Sequence, residues 1–169
     1  MTKIVKKSLV LEGRLESLEA LRRYAQELRP RILDDLGLIP ALEWMAEDME
    51  KNYGVKAHVE VTGSQRSLPA EVELLVFRIA QQALSNIRRH AEASVAAIRL
   101  EFGGDNLRMT VSDNGKGFEM PQRIENLASS GRLGIMGMYE RAQLLRGTLE
   151  IKSELGRGTQ VVAEVPLAE

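Results

Sequence analysis

The hydrophobic positions of the chain change period several times, and each change marks an element. Leu11, Leu15, Leu18, Leu21, Ala25, Leu28 and Ile32 recur at steps of three and four, the spacing that lines one face of a long helix. Glu16, Glu19, Arg22, Arg23 and Glu27 occupy its other face. Pro30 should kink or end that helix, because it has no amide donor and its ring crowds the preceding turn. Beyond Gly37, Pro40 suits the first turn of a second helix, which Leu42, Met45 and Met49 continue and Gly54 stops. From Val55 the period falls to two. Val55, Ala57, Val59 and Val61 alternate with polar residues as in a half-buried strand, with His58 on the solvated side. Pro69 opens a long helix through about Ala91, with Val72, Val76, Ile79, Ala83 and Ile87 inside. VAAIRLEF and LRMTVSD read as two strands joined by the turn GGDN. The polar stretch from Asn114 to Arg132 is longer than a compact domain carries without a functional reason. A helix over roughly residues 134–145 and a last hairpin, GTLEIKS–ELGRG–TQVVAEVPL, complete the pattern. It predicts N-terminal helices followed by an α+β domain, a two-layer α/β sandwich with a mixed or antiparallel sheet. The order of its strands cannot be read from the pattern.

Composition narrows the chemistry. At 169 residues there is room for one full core. The net charge is -1, so a strongly electrostatic nucleic-acid binder is excluded. The absence of cysteine removes disulfides, thiolate metal sites and a Cys nucleophile together. Two histidines, His58 and His90, are too few for a multi-His metal site. No apolar run approaches the ~20 residues that span a bilayer. The segment is therefore expected to be soluble and cytoplasmic, without direct contact to nucleic acid or membrane. Whether a parent protein is membrane-anchored stays open at this point.

Three glycine-bearing pieces and one helix carry the candidate chemistry. DNGKGF (Asp113 to Phe118) follows directly on a strand, GRLGIMGM (Gly131 to Met138) leads into a helix, and GRGT (Gly156 to Thr159) links the last two strands. Glycines at such places let backbone amides approach a ligand, and a helix start adds partial positive charge suited to phosphate. In QQALSNIRRHA, Gln82, Asn86 and His90 lie four residues apart on one helix face. Each piece alone has a plain alternative. DNG is a good turn in its own right, and Arg88, Arg89 and His90 complement a helix C-terminus. Asn86 is less easily dismissed, because Asn inside a helix usually has a specific partner.

Taken in order, the pieces resemble the ATP-binding domain shared by sensor histidine kinases, gyrase, heat-shock-90 chaperones and mismatch-repair ATPases, the GHKL or Bergerat fold. FRIAQQALSNIRRHA resembles its N box, DNGKGF its first glycine box, LGIMGMYERA its second, and SELGRGTQVVAEVP its closing Gly-Thr hairpin. LRPRILDDLGLIPALEWM together with GMYER is similar to histidine kinases that partner LuxR-type response regulators. The resemblance runs from about Leu15 to Pro166.

This resemblance implies a mixed, mainly antiparallel sheet and a two-component phosphorelay. It divides the chain into residues 1–36, the second helix of a dimerisation and phosphotransfer hairpin whose first helix is absent, and residues 37–169, the ATP-binding catalytic domain. Asp113 would accept the adenine amino group, with Gly115 and Gly117 keeping the wall beside the base open. Asn86 would present its oxygen to Mg²⁺. Arg89 and His90 would lie near the phosphates, Gly134 and Gly137 would bring helix-start amides to them, and Gly158 and Thr159 would stand nearby. Residues 119–132 would form a lid. A homodimer in the intact kinase and a response regulator with a LuxR-type output domain are the partners implied. Two departures stand out: neither histidine occupies an acceptor context, and Gln82 stands where this subfamily usually has Glu. Gln can orient a partner but cannot take a proton. A catalytically inactive nucleotide-binding or dimerisation module, and an anti-sigma-type serine kinase on the same fold, remain the alternatives to a histidine kinase.

Overall fold

A computed structural model describes residues 30–120 and 132–167. The chain divides between Asp35 and Leu36 into two units. The leucine stripe that begins at Leu11 lies outside the described residues, apart from its last member, Ile32, in the short helix α1 (Arg31–Leu36).

In the second unit, α2 (Leu38–Tyr53) buries Leu42, Met45 and Met49 and closes at Gly54 in the left-handed conformation. Strand β1 (Lys56–Gly63) follows, then α3 (Ala70–Asn86), which begins directly after Pro69. Glu71 and Glu73 in the first turn of α3 oppose the positive end of its dipole. Strands β2 (Val95–Phe102) and β3 (Asn106–Asp113) form the expected hairpin across GGDN. Helix α4 (Leu133–Leu144) and the hairpin of β4 (Thr148–Glu154) and β5 (Gly158–Pro166) complete the domain.

Among the described residues, five strands stand in the order β1-β2-β3-β5-β4. Only β1–β2 is parallel; its connection is the α3 crossover. The other three neighbours are antiparallel, so the sheet is mixed and mainly antiparallel. One face is apolar in successive rungs: Leu100–Met109–Ala163, then Ile98–Val111–Val161–Ile151. Helix α3 packs on β3 and β5, and α4 packs on α3 and β4. Val76, Phe77 and Ile79 of α3 and Met138 of α4 are almost wholly withdrawn from water. Each such side chain contributes about 1.5–3 kcal/mol of transfer free energy. The opposite face carries exposed pairs, Arg99–Glu60 at 2.9 Å and Arg108–Glu164 at 2.8 Å, which add solubility more than stability. His58 sits on that face, 3.2 Å from Glu60, as the alternation predicts. Among the described residues no helix is long and apolar enough to cross a membrane.

Candidate functional site

The apolar face of the sheet does not continue to its end. In β3, Leu107, Met109 and Val111 are buried at every second position, and the next residue in that phase is Asp113. Its neighbour on β5 is Thr159, whose neighbour on β4 is Ser153. The last rung of a greasy surface is thus carboxylate, hydroxyl, hydroxyl. Above it opens a cavity of about 590 Å³ between the sheet, α3 and the start of α4.

Asp113 is held as a turn residue and as a cavity residue at once. Its Oδ1 accepts the Gly115 N–H at 2.7 Å, the Asx-turn expected of DNG, and the carboxylate also accepts the Thr159 backbone N–H. Burial raises the pKa of this carboxyl, and the two amides pull the other way without cancelling it. Asn114 serves the turn alone. Its side-chain oxygen accepts the N–H groups of Ser94 and Val95 at 3.0 and 2.9 Å, tying the loop to the start of β2.

The α3 wall supplies amides and cations. Gln82 Nε2 donates to Asn86 Oδ1 at 3.0 Å, one turn on. The helix then widens into a π-helical turn over Ile87–Ala91. This wider turn sets two consecutive residues, Arg89 and His90, on the cavity. Arg88 turns outward, donating to the Tyr53 hydroxyl at 2.7 Å and lying 4.7 Å from that ring's centre. Arg89, Lys116 and Arg132 bring positive charge to the lining, against the single carboxylate of Asp113 among the described lining residues.

The glycines act mostly through backbone packing. Gly117 has φ +62°, and a Cβ there would collide with the Glu154 carbonyl oxygen; at Gly158 a Cβ would collide with that of Asp113. These contacts hold the DNGKGF loop against the β4–β5 turn, where Gly156 N–H also donates to Lys116 O at 2.7 Å. At Gly134 a Cβ would stand 2.5 Å from Gln82 Nε2, so its absence lets the start of α4 approach α3. We expect Gly117→Ala to cost about 2–4 kcal/mol, combining left-handed strain with overpacking. Urea unfolding of the variant beside the parent measures it.

Of the residues singled out from sequence, Gln82, Asn86, Arg89, His90, Asp113, Gly117, Gly134 and Thr159 line the one cavity. Gly115 and Gly158 stand behind it, shaping the Asp113 turn, and Gly137 lies one turn further along α4. Residues 121–131 of the expected lid lie outside the described residues. Its flanks are described: Arg132 lies over the Phe118 ring at 4.7 Å and donates to Glu119 O at 3.0 Å. Sequence reasoning missed Phe118, Lys116 and Arg132 as lining, and Ser153 behind it. It also missed the apolar walls Val111, Ile135, Ile151 and Val161. These last were legible only as core positions.

The cavity, on a mixed sheet beside two helices, lies where the sequence resemblance expects a nucleotide site. Residues 71–169 match the family described as histidine kinase-, DNA gyrase B-, and HSP90-like ATPase, and the chain belongs to that family. Within it, the relatives are histidine kinases. The oxygen sensor histidine kinase NreB of Staphylococcus carnosus is 36% identical over 98% of this chain and 47% of its own length. The signal transduction histidine-protein kinase/phosphatase DegS of Bacillus subtilis is 38% identical over 83% of this chain and 37% of its own. The fold is similar to the histidine kinase domain of the blue-light activated kinase EL346 from Erythrobacter litoralis, with TM-score 0.56 and 25% identity over 75% of this chain and 59% of that one. The chain thus carries an ATPase domain similar to that of sensor histidine kinases, and it spans less than half the length of these two curated relatives.

Proposed function

We propose that the chain binds ATP with Mg²⁺ and, within its intact protein, directs the γ-phosphoryl group to a histidine carried by another segment or chain. From there the group passes to an aspartate of a response regulator, of the kind with a LuxR-type output domain. The single observation that carries this reading is the polar end of the sheet: a half-buried carboxylate, Asp113, lining one cavity with Asn86 of α3 and Arg89 of the π-helical turn. A carboxylate is the right acceptor for an exocyclic amino group, and charge-assisted hydrogen bonds are worth about 1.5–3 kcal/mol. Arg89, Lys116 and Arg132 suit a phosphate chain.

Mg²⁺ fits the donor set in one way. Among the described residues no cluster of three or more His, Cys, Asp or Glu could hold a metal by itself. The Asn86 amide oxygen is a hard donor held in place by Gln82, with a second lone pair to offer. Such a site suits a cation that keeps phosphate and water in its shell. When bound, it would neutralise phosphate charge. Asn86 would then orient the phosphates and Gln82 would hold Asn86.

In the transfer, an acceptor imidazole nitrogen bonds to the γ-phosphorus as the bond to the bridging oxygen breaks and ADP leaves. Positioning and charge neutralisation carry most of such a step, so a site poor in acids and bases is consistent with it. Neither histidine here is placed as acceptor: His58 is on the solvent face of β1, and His90 lines the cavity itself. We further propose that residues 1–36 form one helix of a dimerisation hairpin and residues 37–169 the catalytic domain, so that the intact kinase is a homodimer. Incubated alone with ATP, the chain should acquire no phosphohistidine. Given a separate helical segment bearing an acceptor His, it should phosphorylate that segment slowly. Acid-labile label on the supplied segment supports the reading. ATP binding with no transfer at all would favour the inactive nucleotide-binding module, to which Gln82 also points.

A further inference from the structure

Ser153 belongs to none of the glycine-bearing pieces, yet its hydroxyl joins three parts of the site. It accepts the Phe118 N–H at 2.9 Å, which anchors the end of the DNGKGF loop. It lies 3.2 Å from the Gly158 carbonyl oxygen and 2.9 Å from Thr159 Oγ1. A serine hydroxyl has one proton and two lone pairs. The Gly158 carbonyl can only accept, so the serine proton goes there. The Phe118 amide takes one lone pair. All three contacts are hydrogen bonds at once in a single arrangement, with Thr159 donating its own proton to Ser153.

This arrangement fixes the polarity of Thr159. Its proton is spent behind the cavity wall, and only lone pairs remain for a ligand. Thr159 lines the cavity on the same rung as Asp113, which is an acceptor too when ionised. Two acceptors side by side suit a purine whose 6-substituent is an amino group, with two protons to give. They oppose a 6-oxo purine, whose oxygen also needs a donor.

We propose that Ser153 is a positioning residue for base selection: it holds the Thr159 hydroxyl as an acceptor and so enforces 6-amino over 6-oxo purine nucleotides. The proposal rests on the nucleotide reading above. Removing the Ser153 hydroxyl frees the Thr159 proton, which can then donate to a 6-oxo group.

The test is calorimetric titration of the chain with ATP and with inosine triphosphate, both with Mg²⁺. The parent should prefer ATP. Ser153→Ala should narrow that preference about five-fold or more, mostly by improved binding of inosine triphosphate, a pattern that general loosening would not produce. Ser153→Thr, which keeps the hydroxyl, should retain the parent's ratio. A Ser153→Ala ratio equal to the parent's overturns the proposal, as does a Ser153→Thr ratio as low as that of Ser153→Ala. Should Ser153→Ala melt well below the parent, Thr159→Val decides: it deletes the same lone pairs and should also narrow the preference, and an unaltered ratio overturns the proposal. Asp113→Asn separates the two readings. A changed preference in Asp113→Asn beside an unchanged one in Ser153→Ala leaves the nucleotide site standing and removes Ser153 from base selection. A parent that binds neither nucleotide overturns both.

Discussion

Asp113→Ala should strongly weaken ATP binding while leaving the domain folded. The carboxylate is the one acidic group among the described residues lining the cavity, and its loss leaves the adenine amino group without a charged partner. At about 1.5–3 kcal/mol, that is roughly a 10- to 150-fold loss of affinity. A micromolar parent would then bind at roughly 10–150 μM, still measurable by titration calorimetry, whereas a parent near millimolar would show no measurable binding. Stability should change far less. Burial raises the Asp113 pKa above its usual 3.8, so folding penalises the charged form relative to the unfolded chain. A raised carboxyl contributes stability below its unfolded pKa, and that contribution is lost as pH rises through the folded value. At neutral pH Asp113→Ala therefore deletes an unfavourable charge along with two amide hydrogen bonds, and the two effects oppose. Equal ATP affinity in the variant and the parent would remove Asp113 from the site, whatever the melting temperatures.

The same residue shows how far a sequence reading reaches. In LRMTVSD the alternation of Leu107, Met109, Val111 and Asp113 already puts the carboxylate on the buried face of a strand, and the structure keeps that phase. Local rules likewise recover α2, the two hairpins and the Pro69 start of α3, because each is set by neighbours in the chain. The strand order is not local. That β5 inserts between β3 and β4, bringing Thr159 beside Asp113, follows from how the last hairpin docks on the sheet. Resemblance could connect those two residues; periodicity could not.

Two further features escaped for different reasons. The π-helical turn over Ile87–Ala91 puts Arg89 and His90 together on the cavity, whereas a step of four names only His90. Nothing in IRRHA marks the wider turn. Ser153 escaped because one hydroxyl at the end of a strand signals no chemistry: the alternation of Leu149, Ile151 and Ser153 already puts it on the inner face, but only the register of β4 on β5 sets it beside Thr159. The glycines were read as openings for a ligand. In the structure Gly115 and Gly158 are also places where backbone meets backbone, at Ala91 O and Asp113 O respectively. They build the site by allowing close approach behind it.

Gln82→Glu should raise the rate of phosphoryl transfer to a supplied acceptor. Gln82 lines the cavity at the approach of α4, one turn from Asn86, and its amide can orient an imidazole without taking its proton. A carboxylate there could polarise the ring N–H opposite the attacking nitrogen. General-base assistance is commonly worth about 10²–10⁴-fold, the upper bound on the gain; a residue that chiefly orients would yield less. The substitution has a structural cost. Gln82 donates to Asn86 Oδ1, and Glu has no proton for that bond. The Asn86 amide would turn over to present its NH₂, moving its oxygen away from residue 82. ATP affinity without Mg²⁺ should therefore be unchanged, while the Mg²⁺ dependence of binding shifts. Single-turnover transfer at saturating ATP and Mg²⁺ isolates the chemical step from that shift. A Gln82→Glu variant no faster than the parent under those conditions would deny residue 82 any part in handling the proton, and would leave it the smaller task of holding Asn86.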